Sequence, residues 1–328
     1  MATIGYHASH EQIAPAQLLA DVVHAESAGF EAAMCSDHIE PWSHTQGHSG
    51  FAWSWLGAAL ASTQLRLGVV TCPGYRYHPT VVAHAIATLG AMFPGRFWAA
   101  LGSGEYINEH VTGRPWPTKE TRQQVLEECF GVIRDLLRGE TVSRDGAVQV
   151  DRARLWDRPP QPSPLVVPAL SPGTVARFAA TADGFITVNQ PRDTLREMIS
   201  AYRDNGGTGT AVLQVHLSWA PTQDEAVALA RNQWATNVFA SEMMADLATP
   251  EEFEAQANDL GDELGSAVAG AVFISHDPAV HAQRIQQYLA LGFDEIYLHH
   301  VGQDQERFID TFGADVLQQL DRSVSTSV

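Results

Sequence analysis

Asp37 and His38 leave a short apolar run together, and Trp42 follows four residues after His38. An imidazole titrates near neutrality, so it can take the proton of a hydroxyl while the adjoining carbon gives up hydride. The indole offers a flat apolar wall that stacks on a ring or excludes water. The competing structural reading makes Asp37 a helix cap and His38 a loop filler. A second segment, Gly102-Ser103-Gly104-Glu105 with Asn108 close behind, also ends an apolar run. Its glycines let backbone approach a flat molecule, and Ser103 and Asn108 add hydrogen-bonding side chains. Glu105 is a candidate acid whose pKa partial burial would raise. The third glycine of the dinucleotide fingerprint is missing, so that motif is excluded. Here the structural alternative is a glycine turn whose carboxylate sits at a helix N-terminus.

Fourteen histidines invite a metal reading. His7 and His10 are three apart rather than two, no carboxylate or lysine supports them, and His44, His48 and His110 lie in loops; no metal is expected. His299 and His300 are neighbours in a strand and face opposite ways, so at most one reaches a site at the strand end. Cys35, Cys72 and Cys129 match no metal or redox spacing. Trp53 and Trp55 are expected in the core and in subunit packing.

What must position these residues is a run of alternating strands and helices. Apolar runs at Ile4–Ala8, Phe30–Ser36, Leu65–Thr71, Phe97–Leu101, Leu165–Ala169, Gly184–Val188, Val212–Trp219 and Glu295–His299 read as strands. Helical patterns cover Pro15–Ala28, Phe51–Ser62, Pro79–Met92, Thr118–Leu137, Pro172–Thr181, Arg192–Asp204, Gln223–Ala240 and Pro278–Leu291. Alternation implies parallel strands with right-handed crossovers, and eight repeats imply a closed α/β barrel of the TIM (β/α)8 type. Two insertions interrupt it: a hairpin turning at Asp145-Gly146 after the fourth helix, and an acidic, helical stretch from Ser241 to Gly270 after the seventh strand. Residues 1–322 are expected to form one barrel domain, with Ser323–Val328 a frayed tail. The barrel rule places active sites at the C-terminal ends of strands. Polar and aromatic residues gather there after the first four: Tyr6, His7 and Ser9, then the Asp37–His48 segment, then Tyr75–His78, then Gly102–His110.

The bulk composition excludes other classes. In 328 residues, 38 acidic side chains face 20 basic ones, a formal charge of −18, which repels nucleic acid and anionic membrane surfaces. No export signal or membrane span is visible, so a cytoplasmic protein acting on a small molecule is expected. Lys119 is the single lysine.

Four stretches carry a family resemblance: Ser36–Trp42 (SDHIEPW), RYHP at Arg76–Pro79, FPGRF at Phe93–Phe97, and GSGEYINEHVTG from Gly102. Over nearly its whole length the chain resembles the bacterial luciferase-like superfamily, and within it the F420-dependent glucose-6-phosphate dehydrogenase group. YHASHEQ, SGFAWSWLGAAL and MFPGRFWAALGSG resemble a side branch described as flavin oxidoreductases that do not use F420. The resemblance implies a homodimer and F420 or FMN as cofactor. It implies His38 as general base, Trp42 as stabiliser of the substrate and Glu105 as proton donor. Asp37, Ser103, Gly104 and Asn108 match cofactor-contacting positions. Val69-Val70 falls where the family often has a cis peptide against the ring. The family's glycine pair after strand five is replaced by Leu170-Ser171-Pro172-Gly173, where Ser171 and Pro172 make a helix start that suits a phosphate. The lysines that grip a sugar phosphate fall near Asn189–Gln190 and Ala271, all uncharged, so a non-phosphorylated alcohol, aldehyde or ketone is expected. Hydride transfer with His38 as acid/base is the leading reading; an FMN-dependent monooxygenase and a non-enzymatic flavin-binding protein are the alternatives.

Overall fold

The computed structural model describes residues 1–322. Eight parallel strands close into a ring: β1 (Thr3–Ala8), β2 (Ala32–Ser36), β3 (Arg66–Thr71), β4 (Phe97–Leu101), β5 (Leu165–Pro168), β6 (Gly184–Val188), β7 (Thr210–Ser218) and β8 (Glu295–His300). Each pairs with its neighbours in chain order, and β8 returns to β1 with Glu295 opposite Thr3. The fold is the expected (β/α)8 barrel. Helices begin where proline fixes the first turn, at Pro15, Pro79 and Pro172. Gly29 and Gly292, at φ of +100° and +101°, reverse the chain ahead of β2 and β8 in a conformation that penalises a Cβ.

Strand parity sorts the core into two layers. Outward side chains such as Ile4, Tyr6, Leu67, Val69 and Phe97 pack under the helices. Inward ones, including Met34, Trp98, Val166, Ile186, Val212 and Tyr297, fill the barrel. Two large rings occupy its centre because two glycines leave room for them. A Cβ on Gly68 would stand 2.0 Å from the Trp98 ring, and one on Gly5 would stand 2.4 Å from Tyr297. Below them Arg66 pairs with Glu295, which also accepts a hydrogen bond from the Tyr297 hydroxyl at 2.7 Å.

Both insertions are present. The hairpin pairs Val142–Asp145 with Gln149–Ala153, its loop running over Gly146–Val148 and held by Glu128, which accepts from the amides of Ala147 and Val148. The acidic insertion forms helices Ser241–Asp246, Pro250–Asp259 and Leu264–Ala271. Several expectations are corrected. A helix beyond β8, Gln305–Asp315, was not expected; Asp304 caps it and Phe308, Ile309 and Phe312 bury its inner stripe. The helix Pro278–Leu289 lies in the long β7–β8 connection, as expected, ending two residues earlier than read. A two-residue strand, Phe273–Ile274, pairs with Leu217 and Ser218 of β7, too short to show a period. The helix expected over Gln223–Ala240 ends at Trp234. The cis peptide at Val69-Val70 is absent, since among the described residues no peptide bond is cis. Both valines pair with β2 and β4, and ladder bonding on both sides suits the trans extended backbone. Ser323–Val328 lies outside the described residues.

Candidate active site

At the C-terminal ends of the strands Ser36, Val70, Gly102, Pro168, Val188 and His216 are part-exposed, while the inward layer beneath them is buried. They floor a bowl at the end where this fold carries its chemistry.

His38 stands in its wall between two carboxylates. Its Nδ1 is 3.6 Å from Glu11 Oε1 and its Nε2 is 3.8 Å from Glu105 Oε2. The Trp42 ring meets it edge-on, centroids 5.0 Å apart. The carboxylates are driven in opposite directions. Burial alone would raise Glu11, but His38, His7 and the Ser9 hydroxyl, which donates at 2.7 Å, outweigh it and leave its pKa lowered. Glu105, with about two-fifths of its side chain open, is raised, first by desolvation and then by Glu11, against the pull of His38. Ionisation is thus favoured at Glu11 and disfavoured at Glu105.

The loop carrying His38 is held from beneath. Asp37 is buried, and its carboxylate accepts from Thr71 at 2.8 Å, Trp53 at 3.2 Å and Tyr77 at 3.3 Å, with the Arg76 guanidinium at 3.4 Å. That carboxylate therefore turns toward the protein and fixes where its neighbour His38 points. Asn108 does similar work, its Oδ1 accepting from the Ile39 amide at 3.0 Å. From above, the acidic insertion forms a roof. Phe253 packs on Trp42 at 5.1 Å, and Ile107 joins them in one apolar cluster. His44 meets Glu251 and Glu254, and Trp116 donates to the carbonyl of Ala245 at 3.0 Å.

The remaining expected positions divide. Ser103 and Gly104 are part-exposed just beyond the end of β4, next to Glu105. Gly104 has φ of +86°, and a Cβ there would meet Cys72 Sγ at 2.8 Å. Val70 faces the bowl, but Val69 points outward into the helix layer. Leu170 and Ser171 are exposed at the end of β5, and the Ser171 hydroxyl caps the helix Pro172–Phe178. Asn189 and Ala271, the uncharged pair expected at the phosphate-binding places, meet directly: Asn189 Nδ2 donates to the Ala271 carbonyl at 3.0 Å. Trp55 is core, as expected, whereas Trp53 serves Asp37.

Two groups were missed from the sequence. Glu11 lies three residues beyond β1, inside a segment already singled out by its position. The second group is a wall of imidazoles: His7 stacks on His299 at 4.1 Å, and His216 meets His299 at 5.4 Å and Trp234 at 4.6 Å. Burial first lowers all three, His7 to about 4 and His216 to about 3. Among the described residues no cluster of histidine, cysteine and carboxylate is arranged to hold a metal, and no helix is long and apolar enough to cross a membrane.

The residues gathered at the strand ends suit a flat heteroaromatic ring in their chemistry. Gly102 and Gly104 keep one side low, Val70 and Pro168 are apolar, and buried nitrogens of His38 and His7 have no protein partner. The model of the luciferase-like monooxygenase family matches residues 1–295. The chain belongs to that family. Among its relatives is the F420-dependent glucose-6-phosphate dehydrogenase of Beutenbergia cavernae, 37% identical over 98% of each chain. A solved F420-dependent secondary alcohol dehydrogenase, bound to an F420–acetone adduct, superposes with a TM-score of 0.89 at 28% identity, covering 98% of this chain and 99% of that one. An FMN-bound 3,6-diketocamphane monooxygenase component from Pseudomonas putida shares the fold at 14% identity, with a TM-score of 0.69 and 98% and 99% coverage. This luciferase-like protein is an enzyme, a flavin- or F420-dependent oxidoreductase, with F420 or FMN as its cofactor.

Proposed function

We propose that this enzyme moves hydride between its bound cofactor and a small, non-phosphorylated alcohol, aldehyde or ketone, with His38 as the acid/base. The observation that carries this reading is His38 suspended between Glu11 and Glu105, beyond firm hydrogen-bonding distance of either. When bound, the flavin or deazaflavin ring supplies the two-electron acceptor or donor. His38 Nε2 takes the hydroxyl proton of an alcohol, and the ionised Glu11 beside Nδ1 stabilises the imidazolium that results. In the reverse direction the same imidazolium returns its proton to a carbonyl oxygen. Glu105, its pKa raised by burial, is the candidate proton donor on the open side of the bowl. Trp42, pressed by Phe253, walls the reacting atoms from water. Ser103, Gly104, Asn108, Val70 and the Leu170–Pro172 turn are proposed to border the cofactor, with Asp37 ordering the loop behind them. The absence of a cation at Asn189, Gln190 and Ala271 supports an unphosphorylated substrate. A homodimer belongs to the proposal, supported by the exposed Val81 beside Trp53 and by the exposed Phe51.

The test titrates wild type and His38→Gln with F420 and with FMN by tryptophan quenching, then assays propan-2-ol, cyclohexanol, benzyl alcohol and glucose 6-phosphate. Unchanged cofactor affinity with turnover down about 10²–10⁴-fold is expected, with no use of the sugar phosphate. Full turnover by the variant removes His38 from the chemistry, and preferential use of glucose 6-phosphate overturns the substrate class.

A further inference from the structure

A backbone carbonyl at the edge of the barrel settles the protonation of a histidine inside the bowl. Gln12 Nε2 lies against the carbonyl oxygen of Val301. An oxygen there accepts only, so the amide nitrogen of Gln12 must face it, and Gln12 Oε1 then faces His299 Nε2 at 2.8 Å. His299 must therefore donate from Nε2, and because burial holds the ring neutral, its Nδ1 is the acceptor. That nitrogen stands 3.1 Å from the Gln214 amide, which has to present its NH₂. The same Gln214 nitrogen is 3.1 Å from His216 Nε2. His216 Nε2 is then an acceptor too, and the proton of a neutral His216 sits on Nδ1. With the Gln214 NH₂ so placed, a second proton on either ring would set N–H against N–H, and only turning that amide over would admit one.

His216 stands in the inward row of β7 near its C-terminal end and is part-exposed. Its ring is braced by Trp234 at 4.6 Å and by the edge of His299 at 5.4 Å, and its backbone amide is tied to Asn189 at 3.0 Å. No protein group is hydrogen-bonded to Nδ1 among the described residues. The wall it belongs to continues through His299 and His7 toward Glu11 and His38, so it borders the volume in which His38 works.

We propose that His216 is a specificity-determining residue whose Nδ1–H donates to an uncharged oxygen of the substrate. Burial holds His299, His216 and His7 neutral, and the hydrogen-bond order sets which nitrogen of His299 and His216 carries the proton, so the wall offers hydrogen bonding without positive charge. A carboxylate or phosphate entering there would lose its hydration with no counter-charge to replace it. This rests on the oxidoreductase reading above for the substrate's chemistry, but the tautomer does not.

Two measurements separate the claims. In ¹⁵N-histidine NMR of the holoenzyme at pH 7, assigned through the His216→Asn spectrum, His216 is expected as the neutral Nδ1–H form. An Nε2–H tautomer or a cation overturns the inference whatever the enzyme's substrate. In kinetics with propan-2-ol or cyclohexanol, His216→Leu is expected to raise KM roughly tenfold with kcat and F420 or FMN binding nearly unchanged, the loss of one neutral hydrogen bond. His216→Asn, whose side-chain amide can place N–H near the former Nδ1, is expected to recover most of it. His216→Lys is expected to improve KM for pyruvate relative to acetone. Equal KM in wild type and His216→Leu overturns the role of His216 while leaving the oxidoreductase reading intact; wild type inert toward every neutral alcohol and ketone sinks the reading and leaves the NMR result to judge the tautomer.

Discussion

Glu109 brings a carboxylate into a place with little to meet it. One oxygen accepts from the Arg76 amide at 2.6 Å, while the other is buried without a partner. Burial first pushes its pKa up to about 7, against Arg76, which lowers it. Relative to an ordinary glutamate, the folded state binds the extra proton between about pH 4.5 and 7, so this residue's contribution falls as pH rises through that window and is lost above it. Glu109→Gln keeps an oxygen for the Arg76 amide and removes the charge. Urea denaturation is expected to show the variant equal to wild type near pH 4.5 and more stable at pH 8 by on the order of 3 kcal/mol, at about 1.4 kcal/mol per pKa unit. A difference that does not change with pH would refute this origin. At this scale the sequence was legible in placement, since the strand-end rule picked out His38, Trp42 and Glu105, which stand together in the structure while their roles belong to the proposal. It was opaque where function depended on who faces whom: Glu11 gains its meaning only beside His38, and Asp37 proved to point away from the bowl.

The acidic insertion shows the same limit for elements. Its helical, charged character was readable; that it roofs the mouth was not, because nothing local in residues 241–271 names Trp42 or Trp116 as its contacts. Phe253, wholly buried against Trp42, is the keystone of that roof. Phe253→Ala is expected to cost about 3–5 kcal/mol locally, as large-to-small core changes do. Its main effect should be a kcat/KM at least tenfold lower with cofactor affinity retained, because the insertion touches Trp42 rather than the floor. Loss of cofactor binding equal to the loss of turnover would show that the insertion shapes the floor instead. The unexpected helix Gln305–Asp315 had a visible signature, an aspartate cap followed by Phe308, Ile309 and Phe312 at helical spacing; with eight helices already assigned ahead of it, the last one went unseen.

Across the molecule, six histidines among the described residues have lowered pKa values, the buried His7, His10, His281, His299 and His300 and the part-exposed His216, desolvation being the first cause in each. The unfolded chain would hold them near 6.5, so their contribution is intact above that value and lost as pH falls toward 4. The formal charge of −18 acts the other way, since repulsion eases as carboxylates protonate, but it is diffuse and screened over about 8 Å at physiological salt. The histidines therefore dominate between about pH 6.5 and 5. Calorimetry across that interval should show the melting temperature dropping steeply with uptake of several protons; a flat profile would mean that these rings are not the neutral core groups described. Eight strand signals were enough to read the barrel, whereas its two-layer interior was not readable, because Gly5 and Gly68 acquire their reason only from Tyr297 and Trp98.

Those two rings also make the barrel a room with a single door. With Trp98, Tyr297 and the Arg66–Glu295 pair stopping the far end, both molecules that must meet inside use the same entrance. Whichever lies nearer the floor has to arrive first and depart last. The enzyme's kinetics are thus expected to follow a compulsory order, with a dead-end analogue of the outer molecule trapping the inner one in place.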